Sequence, residues 1–335
     1  MFISIFKYSN IQIFKYFNVY IFIIFSKEYI MINQYVEKFI ENLPEELKNI
    51  KNPIKLDLVL DGGIFNGSYL VGALYFLKEM EKRKYVKICR ISGCSIGSIV
   101  AFIYIIDCLD ISENFYNIIF KQLKNTHNLN ISQILGSILE NRIPQDVCEK
   151  VNNKLYITYT NIQKRTKNIK YTYKNKEEII NTIIKSSYIP FLMDGNILFE
   201  NKYIDGINPY IFKIRNDRKI LHLDLFGYDK IKYLINIKNE NTNFHRILSG
   251  LLDIHNFFIK QSNTDMCSYV NELSFLNKSR NFLKIIVENF LVYLVYSVIL
   301  IQKNIPPNIK DYVLYKILSK ITYETYVILL KNYCI

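Results

Sequence analysis

The chain of 335 residues is half apolar, 15% aromatic without tryptophan, and carries a net charge of +13. That length suits one large α/β domain or two small ones, and the apolar share excludes a disordered chain. The positive balance favours anionic partners, but its basic residues are scattered without a recognition helix or zinc-finger spacing, so no specific nucleic-acid partner is expected. The six cysteines, Cys89, Cys94, Cys108, Cys148, Cys267 and Cys334, show no C-x-x-C spacing. They fit reduced thiols in an intracellular compartment, cytoplasmic or at a membrane periphery.

Met1 to Phe25 is strongly apolar but broken by Lys7, Asn10, Lys15 and Asn18. Two readings stand for residues 1–30: a membrane-associating segment, or an extension ahead of a start at Met31. Next comes an amphipathic helix over roughly 33–50. A buried strand follows over Ile54–Leu60, and Gly62-Gly63 ends it. Ser68–Lys82 returns to helical period through Leu70, Ala73, Leu74 and Leu77, with Gly72 expected to pack closely on a sheet. Val86–Ile91 is a second strand and Ser98–Cys108 a second, wholly apolar helix.

A strand-helix-strand connection of this length makes parallel neighbours with a right-handed crossover. Both following loops therefore leave the carboxyl edge of the sheet, where open α/β sheets bind ligands.

Residues 111–150 have mixed helical character, and Lys164–Lys176 has the composition of a solvated loop. Further strands are expected at Leu155–Tyr159 and Lys219–Phe226, a helix at Glu177–Ser187 ended by Pro190, and a hairpin over Asn196–Asp205. From Asn243 the pattern is mainly helical. The apolar run Ile285–Ile301 is expected to be a buried helix, because Glu288, Asn289 and several tyrosines interrupt it. The expected organisation is an N-terminal segment over 1–30, an α/β domain over 31–240 and a helical region over 241–335 packed upon it.

The chemistry gathers in the two loops. Gly93-Cys94-Ser95-Ile96-Gly97 has the G-x-S-x-G form of a nucleophile elbow: a sharp strand-to-helix turn lifts the serine oxygen above the sheet, and the glycines permit it. Cys94 is a small buried neighbour in this reading. The other loop, Asp61-Gly62-Gly63-Ile64-Phe65-Asn66-Gly67, follows the preceding strand and offers backbone N–H groups to an oxyanion. Of His127, His222, His245 and His255, none lies in a turn-rich context suited to a base. Asp205, in Tyr203-Ile204-Asp205-Gly206-Ile207, is the best acid, although Asp-Gly is also a common hairpin turn.

These three elements, in order and spacing, resemble the patatin-like phospholipase family over roughly residues 55–210. Ser186-Ser187-Tyr188-Ile189-Pro190 is similar to a stretch that precedes the aspartate turn in that family. The resemblance implies a mostly parallel three-layer α/β sheet flanked by helices, with a mainly helical C-terminal region. It also implies a serine–aspartate lipid acyl hydrolase with Ser95 as nucleophile, Asp205 as base, and Gly62, Gly63 and Ile64 as oxyanion-hole donors. Asp61, Gly67, Gly93, Gly97 and Gly206 complete the motifs. Such a mechanism calls for no metal or cofactor, and the implied partner is a lipid or membrane surface.

Three departures fall on the loops. Ile64 stands in place of a third glycine, which its side chain tolerates cheaply only outside the left-handed region. Asn66 replaces an Arg or Lys, removing a cation, and Ile207 replaces a small residue. The competing readings are an α/β-hydrolase with a Ser-His-Asp triad, an inactive membrane-docking scaffold, and a nucleotide-binding module. The last lacks the G-x-G-x-x-G register and a P-loop lysine. Oligomeric state is not encoded in any pattern of the sequence.

Overall fold

The computed structural model describes residues 30–332 apart from 140–141, 228–229, 235, 239, 241, 273–274, 305, 307–311 and 330. The apolar segment expected over 1–30 thus lies, save its last residue, outside the described residues. Helix α1 covers residues 30–41, and Pro44 separates it from the short α2, Glu45–Lys48. The sequence suggested one continuous helix here. Proline has no N–H to donate within a helix, so it starts a new one instead.

Strand β1 (Ile54–Leu60) leads through the first loop into α3 (Gly67–Lys82), and β2 (Val86–Gly93) leads through the second into α4 (Ile96–Ile105). After them come α5 (Ser112–Thr126), α6 (Ile131–Leu139), α7 (Val147–Val151), β3 (Leu155–Asn161), β4 (Thr166–Lys170) and α8 (Lys176–Ser186). Then come β5 (Tyr203–Asp205), β6 (Lys219–Leu223), α9 (Phe244–Lys260), β7 (Cys267–Tyr269), α10 (Phe275–Asn304) and α11 (Val313–Leu329).

The strands form one seven-stranded mixed sheet in the order β4-β3-β2-β1-β6-β7, with β5 also on β3. Its four central strands, β3-β2-β1-β6, are parallel, while β4, β5 and β7 pair antiparallel. Strand β1 is buried on both faces, as central parallel strands are. Leu56, Leu58 and Leu60 enter the main core shared with α3, α4 and α9, and Val59 packs with Phe212 and Ile220 in a smaller cluster. The fold is the expected α/β sheet with flanking helices and a helical C-terminal region.

Several elements differ from expectation. The Lys-rich stretch after Lys164 contains the edge strand β4, whose charged side chains suit an exposed sheet edge. The anticipated hairpin over Asn196–Asp205 shrinks to one bridge between Phe199 and Tyr203, while β5 pairs with β3. Gly72 packs on a helix, not on the sheet. A Cβ there would lie 1.9 Å from the Ile247 carbonyl oxygen of α9, and one at Gly250 would lie 1.9 Å from the Tyr69 carbonyl of α3. The two glycines let α3 and α9 touch backbone to backbone.

Gly72→Ala is expected to force these helices apart and lower unfolding free energy by about 1–3 kcal/mol or more. Denaturant unfolding of the variant against the native chain checks this, and an unchanged midpoint refutes it.

Candidate active site

Register alone brings the two loops together. Leu60 of β1 pairs with Gly93 of β2, so the next residues, Asp61-Gly62 and Cys94-Ser95, leave the sheet side by side. Strand β3 adds the third component. Its Ile157 pairs with Gly93, and its Tyr159 pairs with Asp205 of β5. Because β4 occupies the opposite edge of β3, β5 continues the line of β2 beyond its end. Asp205 is thereby set just past Gly93, facing the elbow. The Ser95 side chain lies near enough to the Asp205 carboxylate to favour its ionised form.

The elbow is built by close approach. A Cβ at Gly97 would sit 2.5 Å from the Asp61 carbonyl oxygen, and one at Gly93 would sit 2.6 Å from the Gly97 backbone. Ser95, almost fully buried, takes φ 50° and ψ −131°, a conformation an L-residue adopts only under constraint. Its N–H donates to the Ser186 carbonyl at 3.1 Å and to Ser186 Oγ at 3.0 Å. Two residues later the Tyr188 carbonyl accepts from the Asp205 N–H at 2.9 Å. The last residue of α8 and the stretch after it therefore hold both members of the pair, which is the physical role of a segment that the sequence marked only by resemblance.

Gly206 follows the aspartate because β3 leaves no room there: a Cβ would lie 2.3 Å from the Thr158 carbonyl oxygen. The Ile207 N–H then donates to Asp205 Oδ1 at 2.8 Å. Burial raises the Asp205 pKa to about 6; the Ser95 side chain, the Ile207 N–H and Lys167 oppose that rise, and Glu288 adds to it.

The first loop touches the elbow directly. A Cβ at Gly62 would meet the Ser95 Cβ at 3.1 Å, and one at Gly67 would meet Ile96 at 2.2 Å. A Cβ at Gly62 would also lie 3.2 Å from the Cys94 sulfur. Cys94 is buried, its thiol donates to the Ile207 carbonyl at 3.2 Å, and burial pushes its pKa well up, so it is a packed neighbour and no thiolate. Among the described residues no protein acceptor takes the N–H of Gly63 or Ile64. Ile64 has φ 42°, inside the left-handed region where a β-branched side chain is strained. Ile207, with φ 57°, shares that strain. Beneath Ile64 and Ile96 opens a narrow apolar slot of about 40 Å³, lined also by Val71, Val100, Phe115 and Ile119. A larger cavity of about 530 Å³ lies between α6 and α8 and includes neither Ser95 nor Asp205.

The cation expected to be missing at Asn66 arrives from elsewhere. Arg246 of α9, fully buried, donates to Asn66 Oδ1 at 2.7 Å, to the Tyr233 carbonyl at 2.8 Å and to Glu240 at 2.6 Å. Asn66 in turn donates to the carbonyls of Lys230 and Leu225. Asn66 thus clasps the first loop to α9.

Asp61 is likewise held from far along the chain. Lys284 Nζ of α10 lies 2.6 Å from Asp61 Oδ2 and 2.9 Å from Asp224 Oδ1, and His222 Nε2 lies 3.5 Å from Asp61 Oδ1. Burial opposes ionisation of Asp61, yet Lys284 and His222 together hold its carboxyl well below the usual range. One turn further, Glu288 accepts from Asn208 Nδ2 at 2.6 Å and pairs with Lys167 at 2.9 Å. Arg246, Lys284 and Glu288 were all missed in the sequence. For α10 a signal existed: Arg280, Lys284 and Glu288 recur every fourth residue in an otherwise apolar run. No histidine is recorded in contact with Ser95; His222 serves Asp61, and His255 stacks on Phe39.

Residues 58–207 match the family model for patatin-like phospholipase. Over this stretch the chain is similar to the patatin-like phospholipase family. Patatin-like phospholipase domain-containing protein 4 of Homo sapiens is 26% identical over 153 residues, which cover 42% of this chain and 60% of the relative. The chain thus spans less than two thirds of that relative. The crystal structure of VipD from Legionella pneumophila aligns with a TM-score of 0.29 at 14% identity, covering 51% of this chain and 49% of that one. Within the matched stretch fall the first loop, the elbow, Asp205 and Ile207; Arg246, Lys284 and Glu288 lie outside it.

Two outcomes follow for stability. Asp205 binds a proton more tightly in the fold, at about 6, than at its ordinary value of 3.8, so stability falls as pH rises between those values. Asp205→Asn is expected to abolish that slope and to melt higher than the native chain at pH 7, measured by thermal melting from pH 4 to pH 8. Lys284→Met strands the buried Asp61 carboxylate and is expected to cost about 3–5 kcal/mol in denaturant unfolding.

Proposed function

We propose that this chain is a lipid acyl hydrolase that cleaves ester-linked acyl chains of phospholipids or neutral lipids through a serine–aspartate pair. The observation that carries the reading is the placement of a strained, elbow-mounted Ser95 beside a buried aspartate whose pKa is raised to about 6. A carboxylate of ordinary acidity is a poor base, and one raised towards neutrality is a better one. The similarity to the patatin-like family supports the same reaction class.

In this mechanism Ser95 Oγ attacks the ester carbonyl carbon while Asp205 takes the hydroxyl proton. The carbonyl oxygen becomes an oxyanion beside the first loop, where the N–H groups of Gly63 and Ile64 are unengaged by protein acceptors. Gly62 is the third donor of the motif, packed against the Ser95 side chain. The amino termini of α3 and α4 add partial positive charge on the same side. Collapse of the tetrahedral species breaks the ester C–O bond, and Asp205 returns its proton to the departing alcohol. Water then attacks the acyl-enzyme with Asp205 again as base, releasing the acid and restoring Ser95. The apolar slot beneath Ile64 and Ile96, beside the elbow, offers a place for the start of an acyl chain. The strain at Ile64 supports a loop held in place for this task, since one oxyanion donor contributes about 2.7–4 kcal/mol to lowering a barrier.

The site needs neither a histidine nor a metal to close this cycle. The reading places the protein intracellularly at a lipid surface, with its described cysteines unpaired.

A fluorophosphonate probe is expected to label the native chain, to leave Ser95→Ala unlabelled and to label Asp205→Asn at least a hundredfold more slowly. Labelling rate should rise with pH through a single ionisation near 6. No His→Ala variant should abolish it; abolition by one would favour a histidine triad. A folded native chain that stays unlabelled would leave a docking scaffold without catalysis.

A further inference from the structure

Helix α10 was expected to be buried, and its apolar side chains are instead largely exposed. Lys278–Ile301 is long and apolar enough to cross a membrane, yet only 11% of its most apolar window is buried. Phe282 and Phe290 are each 63% exposed, and Leu283, Ile286, Tyr293 and Ile301 stand open beside them. Its remaining face is polar and engaged: Arg280 and Lys284 pair with Asp224, Lys284 with Asp61, and Glu288 with Lys167 and Asn208.

We propose that the apolar face of α10 seats the protein on an anionic phospholipid surface, with the helix lying in the plane of the interface. The polar face argues against a spanning helix. A span would either strip Arg280, Lys284 and Glu288 of their partners or draw the sheet edge into hydrocarbon. A helix polar on its protein face and apolar on its outer face has the pattern of an in-plane element. The charge around it selects the lipid. Lys278 flanks one end and Lys303 the other, and the Arg165 guanidinium lies 3.9 Å from the Tyr296 ring centre and 5.9 Å from that of Tyr293. The whole chain carries +13. A second copy of this chain would bring like charges together, whereas an anionic surface neutralises them.

The position of the helix gives docking a consequence. Lys284 holds the residue that begins the first loop, and Glu288 holds Asn208, three residues beyond Asp205. One helix diameter, about 10–12 Å, separates these bonds from the outer face. The surface that supplies lipid therefore rests beside the loops that would cleave it. This consequence depends on the proposed esterase reading, while the docking itself does not.

The test is flotation of the full chain with phosphatidylcholine vesicles, with and without phosphatidylserine, for the native protein and a Phe282→Asp, Phe290→Asp double variant. Both side chains are exposed, so the variant should keep the native melting temperature. The native chain is expected to float with phosphatidylserine vesicles, less so with phosphatidylcholine alone, and the double variant to bind about tenfold more weakly or worse. Native-like flotation of the double variant overturns the proposal. So does a native dimer in size measurements that the double variant splits, with no vesicle binding by either. Fluorophosphonate labelling run alongside separates the two ideas: lost labelling with flotation intact counts against the esterase alone.

Discussion

The elbow exists because two backbones meet with no side chain between them. Gly97 sits where a Cβ would come 2.5 Å from the Asp61 carbonyl, and Gly93 sits where one would come 2.6 Å from Gly97. Any larger residue at either position pushes α4 off the end of β1, and Ser95 then loses the constraint on its backbone. Everything else at the site is measured from this contact. The first loop touches Ser95 through Gly62, Ser186 at the end of α8 holds the Ser95 N–H, and β5 brings Asp205 beside the serine.

Holding the elbow concentrates strain. Ser95, Ile64 and Ile207 all have positive φ, and each such residue costs about 1–3 kcal/mol. Two of them are β-branched, where a glycine or a small residue would be comfortable. The surrounding bonds explain how they persist. Asn66 ties the Ile64 turn to α9 through Arg246 and to the loop after β6 through Lys230 and Leu225, and the Ile207 N–H is fixed on Asp205 while its carbonyl accepts from Cys94. The strain is local, and the bonds that hold it come from far along the chain.

That division also decides what the sequence disclosed. Periodicity and glycine punctuation exposed β1, α3, β2 and α4, because each is long, patterned and bounded by a turn signal. From these the adjacency of Gly62 and Ser95 followed by topology alone. The pairing of Asp205 with β3 did not, because a strand of three residues carries no period. Arg246, Lys284 and Glu288 were invisible for another reason. Each meets the site across 80 residues of chain or more, and a lone charge in a helix resembles a solvated one until its partner is known. The close packing of Gly72 was legible, but its partner α9 was not, since nothing local distinguishes a sheet from a helix as the surface approached.

Helix α10 shows how misleading single charges can be. Read along the chain, Glu288 and its neighbouring asparagine seemed to mark an interior helix. Arranged around the helix, the charges fall every fourth residue on one face, and the apolar side chains take the remainder. The polar face is the one buried against protein, because its charges find opposite charges there: Lys284 between Asp61 and Asp224, Glu288 beside Lys167. Breaking either pair would leave a buried ion uncompensated, which costs more than leaving aliphatic side chains in water. The charges therefore fix which way the helix faces, and the outward apolar face is the consequence of satisfying them.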